Sequence, residues 1–180
     1  MGALIKRMLL VTALLAAATA LAQGDRTLEP QIKAAFLYKF GGFVEWPAAA
    51  FARADASFSI GVLGAETVAA ELERLVAGRT VQGRSIAVQK LKRGDSLRGL
   101  HLLFVGQAEA GRLAEIVSAA KGQPLLIVTE TDNALARGSM INFITVDDKV
   151  RFDVALPEAE RGQLRISARL LAVARKVITS

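Results

Sequence analysis

Apolar residues along the chain are grouped into runs that have the length of single strands and helices. Three continuous apolar runs are strand-like and are bordered by glycine or proline: Phe58–Leu63, Leu100–Val105 and Leu125–Val128. The first two precede amphipathic segments, Glu66–Val76 and Glu109–Ala120, in which apolar residues recur every three or four positions. Continuous apolar strands that alternate with helices indicate a parallel sheet covered on both faces.

The segment Ser85–Leu91 alternates apolar and polar residues, which predicts a further strand near an edge of the sheet, after a turn at Gly78–Gly83. Two other strand-like segments, Ser139–Thr145 and Lys149–Leu156, flank Val146-Asp147-Asp148. This arrangement predicts an antiparallel hairpin with a short acidic turn.

The final apolar pattern, over Leu164–Ile178, has helical spacing and predicts a closing helix whose Leu170 and Leu171 dock on the sheet or on the first helix. The expected fold class is α/β. We expect a single-domain, mostly parallel sheet flanked by helices, with an antiparallel C-terminal hairpin and this closing helix.

The stretch Ile32–Pro47 contains five of the ten aromatic residues, including the only Trp and the only Tyr. Its apolar spacing predicts a helix with a wide buried face. Because Pro47 disfavours the α conformation in the preceding residue, the helix should stop at about Glu45. Gly41 and Gly42 each cost about 1 kcal/mol of helix propensity, which indicates close packing or a bend there.

The beginning of the chain has the features of a secretory signal. Lys6 and Arg7 precede a short apolar run, Met8–Ala18, and Ala20-Leu21-Ala22 resembles a cleavage site. We interpret residues 1–22 as the signal peptide and residues 23–180 as one exported domain, which places the protein in the periplasm. The alternative is that the apolar run stays attached and anchors the protein.

Charge and cysteine content narrow the possible functions. The formal charge of +6 falls to +4 without Lys6 and Arg7, and the only local basic cluster is Lys90, Lys92 and Arg93. Because the other basic residues are spread along the chain, the charge distribution argues against nucleic-acid binding. The chain has no Cys, so disulfides and thiol chemistry are excluded.

The residues offer no evident catalytic set. The single histidine, His101, lies in an apolar strand run, where a hydrogen-bonded structural role is expected. Asp147 and Asp148 are adjacent and would point to opposite faces of a strand, and Ser139 lacks the glycines of a nucleophile elbow. No metal-ligand motif is present, and no cofactor is expected. We therefore interpret the protein as a non-enzyme. The enzymatic alternative is a hydrolase that uses Ser139 or the two aspartates.

If the sheet is parallel, three loops meet at the carboxyl ends of its strands, where α/β folds commonly bind ligands: Gly64–Thr67, Gly106–Glu109 and Thr129–Asn133. The ligand-loop candidates are Gly64, Gly106, Thr129 and Asp132. Helix N-terminal amides in the first two loops would suit an anion. The alternative is that these residues only turn the chain and cap helices. Tyr38 and Trp46 are open to two interpretations, as a partner surface or as polar-tipped members of the core.

The order of several motifs resembles the YfiR/HmsC-like family over essentially the whole exported chain. The most specific motif is the aromatic helix with Phe43-Val44-Glu45-Trp46-Pro47 at its end. The others are Ile60-Gly61-Val62-Leu63-Gly64, Ile141-Asn142-Phe143, Val150-Arg151-Phe152-Asp153 and Ile166-Ser167-Ala168-Arg169-Leu170-Leu171. Some relatives carry disulfides that oxidation can tune, but this chain has no Cys.

The resemblance implies a periplasmic regulator that binds the sensor region of an inner-membrane diguanylate cyclase. It would repress cyclic di-GMP synthesis and so affect biofilm and exopolysaccharide output. Related domains also occur in histidine kinases. A small-molecule or anion receptor that feeds a membrane signalling protein is the alternative, and a homodimer is possible. Partner-binding candidates from the matching motifs are Lys33, Tyr38, Lys39, Trp46, Asn142, Arg151 and Arg169. Arg151 and Asp153 share a strand face, so a structural ion pair between them is the competing interpretation.

Overall fold

The computed structural model of the protein describes residues 28–53 and 55–180. Its centre is an eight-stranded sheet with strand order β10-β8-β7-β6-β5-β2-β4-β3. In chain order the strands of this sheet are β2 (Phe58–Leu63), β3 (Thr80–Val81), β4 (Arg84–Leu91), β5 (Leu102–Val105), β6 (Leu126–Thr129), β7 (Ile141–Val146), β8 (Lys149–Ala155) and β10 (Lys176–Ile178). β1 (Val44–Glu45) and β9 (Arg165–Ile166) form a separate antiparallel pair. Strands β4, β2, β5, β6 and β7 are mutually parallel, which confirms the predicted α/β fold class.

Five α-helices accompany the strands in the described residues. They are α1 (residues 28–43), α2 (Glu66–Val76), α3 (Leu113–Ala119), α4 (Leu156–Arg161) and α5 (Ala168–Leu171). The predicted bounds of α2 are confirmed. The predicted helix over Glu109–Ala120 is divided, because a 3₁₀ helix over Gln107–Arg112 precedes α3. Among the described helices, none is long and apolar enough to cross a membrane. The predicted signal peptide lies outside the described residues.

The core lies on both faces of the sheet. In β5, Leu102 and Phe104 belong to one buried cluster while Leu103 belongs to the other, as the two-residue period of a strand requires. The first cluster packs under α1 and α2, and the second packs under α3. The continuous apolar strands predicted from the sequence are therefore buried on both sides.

The aromatic helix α1 is held by ring contacts. Phe36 and Phe40 lie within 6 Å of the rings of Phe143 and Phe152, with centroid distances of 5.1–5.9 Å. The helix ends at Phe43, two residues before the predicted end, because the next two residues pair with β9. The predicted close packing is confirmed at Gly41. A Cβ atom there would lie 3.1 Å from Val81 and 3.2 Å from Phe58.

The predicted hairpin is confirmed. β7 and β8 are antiparallel, and Val146 pairs with Lys149. The two-residue turn consists of Asp147 and Asp148, whose φ angles are 49° and 55°. Positive φ at both positions is the requirement of a type I′ turn.

The predicted closing helix over Leu164–Ile178 is wrong in its extent. Only Ala168–Leu171 is α-helical, because the hydroxyl of Ser167 accepts a hydrogen bond from the Leu170 amide and starts a new helix there. On either side, the backbone pairs with other strands as β9 and β10. Leu170 is buried in the core as expected, and Leu171 packs against it. The predicted turn at Gly78–Gly83 also contains a short strand, β3, which forms the sheet edge beside β4.

Candidate functional site

The three loops predicted to meet at the carboxyl ends of β2, β5 and β6 do lie together. The Gly106 amide donates a hydrogen bond to the Leu63 carbonyl at 2.8 Å. A Cβ atom on Gly106 would lie 2.3 Å from the Gly64 carbonyl oxygen, so the two loops touch through their backbones. The third loop is joined to the second by a hydrogen bond of 2.9 Å from the Gln107 amide to the Glu130 carboxylate.

A buried ammonium group lies above these loops. Lys33, near the beginning of α1, is 8% exposed and forms ion pairs with Glu29 and Glu130. Burial by itself would lower the pKa of Lys33, but hydrogen bonds and charge attraction from Glu130 and Glu29 together raise it above its ordinary value. Lys33 is therefore positively charged at physiological pH, and it fixes α1 to the end of β6.

Two cavities of about 410 and 230 Å³ adjoin this ion-pair cluster. Both are lined by Glu29, Lys33 and Glu130. Gly64 and Gln107 line the larger one, and Asp132 lines the smaller one. We call this region the Lys33 crevice.

The Lys33 crevice is acidic. Lys33 is outnumbered by Glu29, Glu66, Glu130 and Asp132 among the residues that line the two cavities. The Gln107 amide, which belongs to a loop expected to bind an anion, is already bonded to the protein's own Glu130 carboxylate. The electrostatics of the crevice therefore favour a cationic or neutral polar ligand over an anion.

A buried polar network lies below the Lys33 crevice and forms its floor. The Thr129 hydroxyl donates to Asn142 Oδ1 at 2.6 Å, and the Thr131 amide donates to the same oxygen at 3.1 Å. The hydroxyl of Ser139 lies 2.8 Å from Thr129 Oγ1 and from the Ile141 carbonyl oxygen. Because Ser139 and Thr129 are 0% exposed, a substrate cannot reach either hydroxyl. The predicted ligand-loop residue Thr129 is thus a structural residue, and the hydrolase alternative gains no support from Ser139.

The seven partner-binding candidates do not form one surface. Lys33 and Asn142 are buried in or below the crevice, whereas Lys39, Arg151 and Arg169 are exposed on α1, β8 and α5. The proposed ion pair between Arg151 and Asp153 is wrong, because Asp153 pairs with Arg175, whose side chain forms two hydrogen bonds to it. This pair joins β8 to the segment that leads into β10.

Tyr38 is half-buried beside β3. Its hydroxyl donates to the Thr80 carbonyl at 3.3 Å, and the Arg79 guanidinium lies 5.6 Å from its ring centroid. Trp46 is at the opposite end of the sheet from the crevice, where its indole N–H donates to the His101 carbonyl at 3.1 Å. Its ring lies edge-on to Phe58 at 4.9 Å. Trp46 is therefore a polar-tipped contributor to the core.

His101 is locked by the residues around it. Its Nδ1 accepts a hydrogen bond from the Ser59 amide at 3.0 Å, so Nε2 carries the proton and donates to the Ala50 carbonyl at 3.1 Å. The ring is stacked between Phe51 and Phe58. Burial lowers the pKa of His101, which keeps the ring neutral. The predicted structural histidine is confirmed.

Sequence reasoning included Gln107 and Glu130 only as members of the loops Gly106–Glu109 and Thr129–Asn133, and it missed Glu29. The only local signal was the four-residue spacing between Glu29 and Lys33, which places an acid and a base on one face of a helix. Glu130 is 97 residues from Lys33 in the chain, so only the folded structure brings them together. No group of three or more possible metal ligands occurs in the part of the chain that the structure describes.

Comparison with known proteins provides the family. No curated protein matches the chain significantly. A solved conserved domain protein from Vibrio cholerae O1 biovar El Tor is 15% identical, with a TM-score of 0.47. That match covers 66% of this chain and 54% of the solved chain, so the protein spans about half the length of that structure. The YfiR/HmsC-like family model matches residues 30–175. The chain therefore belongs to the YfiR/HmsC-like family, a family of periplasmic regulators of diguanylate cyclase signalling.

Proposed function

We propose that this protein is the periplasmic inhibitory partner of an inner-membrane diguanylate cyclase. It binds the periplasmic sensor region of the cyclase, holds the enzyme in its inactive state and lowers cyclic di-GMP, and with it biofilm and exopolysaccharide output. The observation that carries this proposal is the family match, which extends over residues 30–175.

The side-chain chemistry supports regulation by contact. Within residues 28–53 and 55–180, the groups most suited to catalysis are engaged in the fold: Lys33 is ion-paired, His101 is hydrogen-bonded at both nitrogens, and Ser139 is sealed. Asp147 and Asp148 form the tip of a hairpin. A regulator that acts by binding requires none of these groups to be reactive.

Repression by binding has a definite energetic requirement. A ligand shifts a two-state protein only by its difference in affinity for the two states. To move a cyclase from about 99% active to about 1% active, the inhibitor must bind the inactive state about 10⁴-fold more tightly. We therefore expect the protein to discriminate strongly between the two states of the sensor region.

The first experiment measures cyclic di-GMP in the host with the gene deleted, restored, and restored without residues 1–22. We expect a rise on deletion that only the chain with residues 1–22 reverses, because the partner region lies in the periplasm. Unchanged cyclic di-GMP in all strains would contradict the proposal.

The second experiment identifies the contact surface by recovering the cyclase from membranes with purified protein. Lys39→Glu, Arg151→Glu and Arg169→Glu each reverse an exposed charge on a different element. Lys92→Glu, in the loop after β4, is the matched control. Loss of recovery with one of the first three variants would locate the interface. Recovery of a histidine kinase in place of a cyclase would assign the protein to the other signalling output.

A small-molecule receptor is the second candidate, and the two cavities of the Lys33 crevice favour it. Since the crevice is acidic, small cationic and neutral polar compounds are the first to screen by thermal shift. A specific ligand at 100 times its dissociation constant should add about 2.7 kcal/mol to stability. Glu66→Gln and Asp132→Asn remove lining charges without breaking the Lys33 ion pairs, and they should weaken binding of a cation. If Lys92→Gln weakened binding by the same amount, the effect of the two crevice variants would be nonspecific.

A further inference from the structure

A second concave region of the molecule shares no residue with the Lys33 crevice. It is a groove of about 530 Å³ between the C-terminal end of α3 and the helix α4. This volume is in the range of small-molecule sites in proteins. We call it the α3–α4 groove.

The floor of the α3–α4 groove is apolar. It is built from Leu125, which immediately precedes β6, from Ile127 in β6, and from Met140, which precedes β7. All three are at most 7% exposed when measured over the whole residue, so the groove reaches down to the core. Val117 of α3 adds a further aliphatic side chain.

Two glycines set the shape of the walls. A Cβ atom on Gly138 would lie 2.7 Å from Val117 Cγ1, and the residue has a φ angle of 98°. A Cβ atom on Gly162 would lie 2.6 Å from Met140 Cε. Because neither glycine has a side chain, Val117 and Met140 pack closely against the backbone at these two positions and line the groove.

The rim of the groove is polar and has an excess of positive charge. Arg161 and Glu158 are paired with each other across one turn of α4, so their charges compensate. Gln123 donates to the Ala119 carbonyl at 2.9 Å. Lys121 is exposed and forms no ion pair with any residue that the structure describes. A ligand with an apolar body and a negative head would bury the body on the floor and place the head at Lys121.

We propose that the α3–α4 groove binds a medium-chain fatty carboxylate. The aliphatic floor suits an unbranched hydrocarbon chain, and the single uncompensated cation on the rim suits a carboxylate. This inference concerns a site separate from the crevice, and it does not depend on the proposed regulation of a cyclase.

The test uses Met140 as a reporter. The full chain has three methionines, and Met140 alone lies in the described residues. Methyl-¹³C-methionine labelling gives it a separate NMR signal, which the Met140→Leu variant assigns. Titration with hexanoate, octanoate and decanoate should shift this signal saturably. Each added pair of methylenes should tighten binding about fifteenfold, because burial of one methylene contributes about fourfold.

Two variants separate the groove from other sites. Ser118→Trp places a large ring at an exposed position that lines the groove and should abolish the shift. Lys121→Glu should weaken octanoate binding about fivefold while leaving octanol binding unchanged, because only the carboxylate interacts with the cation. Lys149→Glu, on an exposed residue outside the groove, is the control for net charge. If Ser118→Trp lowers the unfolding midpoint, the Lys121→Glu comparison decides alone.

The proposal would be overturned if the Met140 signal did not move with decanoate at millimolar concentration. It would also be overturned if octanoate and octanol responded equally to Lys121→Glu. A shift without dependence on chain length would show that the apolar floor does not hold the ligand.

Discussion

Replacement of Lys33 by Met tests how strongly the crevice ion pairs hold α1 to the sheet. The side chain of Lys33 is 11% exposed, and its partners Glu130 and Glu29 are 15% and 38% exposed. Removing one partner of a buried ion pair costs about 3–5 kcal/mol, since it leaves an uncompensated charge in a poorly solvated place. Because Glu29 can turn toward water, the loss should be at the lower end, about 3 kcal/mol. For a domain of this size that corresponds to roughly 6–12 °C in Tm.

The assay is urea unfolding, followed by the fluorescence of the only Trp, on the wild type and on Lys33→Met. Lys39→Met is the matched control, because Lys39 is on the same helix and is exposed. It should change the free energy of unfolding by less than about 0.5 kcal/mol. The raised pKa of Lys33 adds a pH criterion. The stability that its charge contributes is fully present below the ordinary pKa of 10.5 and is lost only as pH rises through the higher folded-state value.

The reasoning would be refuted if Lys33→Met and Lys39→Met had equal effects. A second variant separates charge from packing. Adding Glu130→Gln to Lys33→Met removes the orphaned carboxylate and keeps an oxygen that can accept from the Gln107 amide. The double variant should therefore recover a large part of the lost stability. No recovery would show that the cost is due to packing of the lysine stem.

Three further predictions concern the backbone and His101. Gly106→Ala should lower the free energy of unfolding in urea by about 3 kcal/mol, because the new methyl group would lie 2.3 Å from the Gly64 carbonyl oxygen. Gly111→Ala is the control and should be neutral, because a methyl group there meets nothing within 4 Å. Stability should fall as pH drops below 6.5, because the lowered pKa of His101 means that the unfolded state binds a proton before the folded state does. His101→Gln should reduce this pH dependence of stability. A variant with the same pH dependence as the wild type would contradict the prediction. Asp148→Gly should raise the free energy of unfolding by about 0.5–1 kcal/mol, since its φ is 55°, and a loss of stability would refute the turn assignment.

The Met140 reporter, the Lys33 crevice and the interface substitutions Arg151→Glu and Arg169→Glu lie on different elements, so they can be combined in one protein. Distant substitutions of this kind usually have additive effects on stability. Loss of cyclase recovery in a variant that unfolds normally therefore reports the interface, and loss of the Met140 shift reports the α3–α4 groove.

The amino-acid sequence by itself determined the elements whose causes are local. The apolar runs of β2, β5 and β6, the amphipathic repeat of α2 and the Asp147-Asp148 turn each depend on side-chain period or on backbone preference within a few residues. The strand-end loops could also be placed, because a parallel sheet brings the carboxyl ends of its strands to one edge.

Tertiary structure decided what depends on distant partners. Leu164–Ile178 has a helical apolar spacing, yet its two ends form the strands β9 and β10, which pair with β1 and β8. This pairing satisfies the backbone groups of the two ends and buries their side chains. The Lys33 crevice needs Glu130, which is distant in the chain, and no local pattern encodes such a contact. Burial, too, is a property of the folded molecule: it made Asn142 and Thr129 structural and left Lys39, Arg151 and Arg169 accessible, because only packing decides which polar residues lose contact with water.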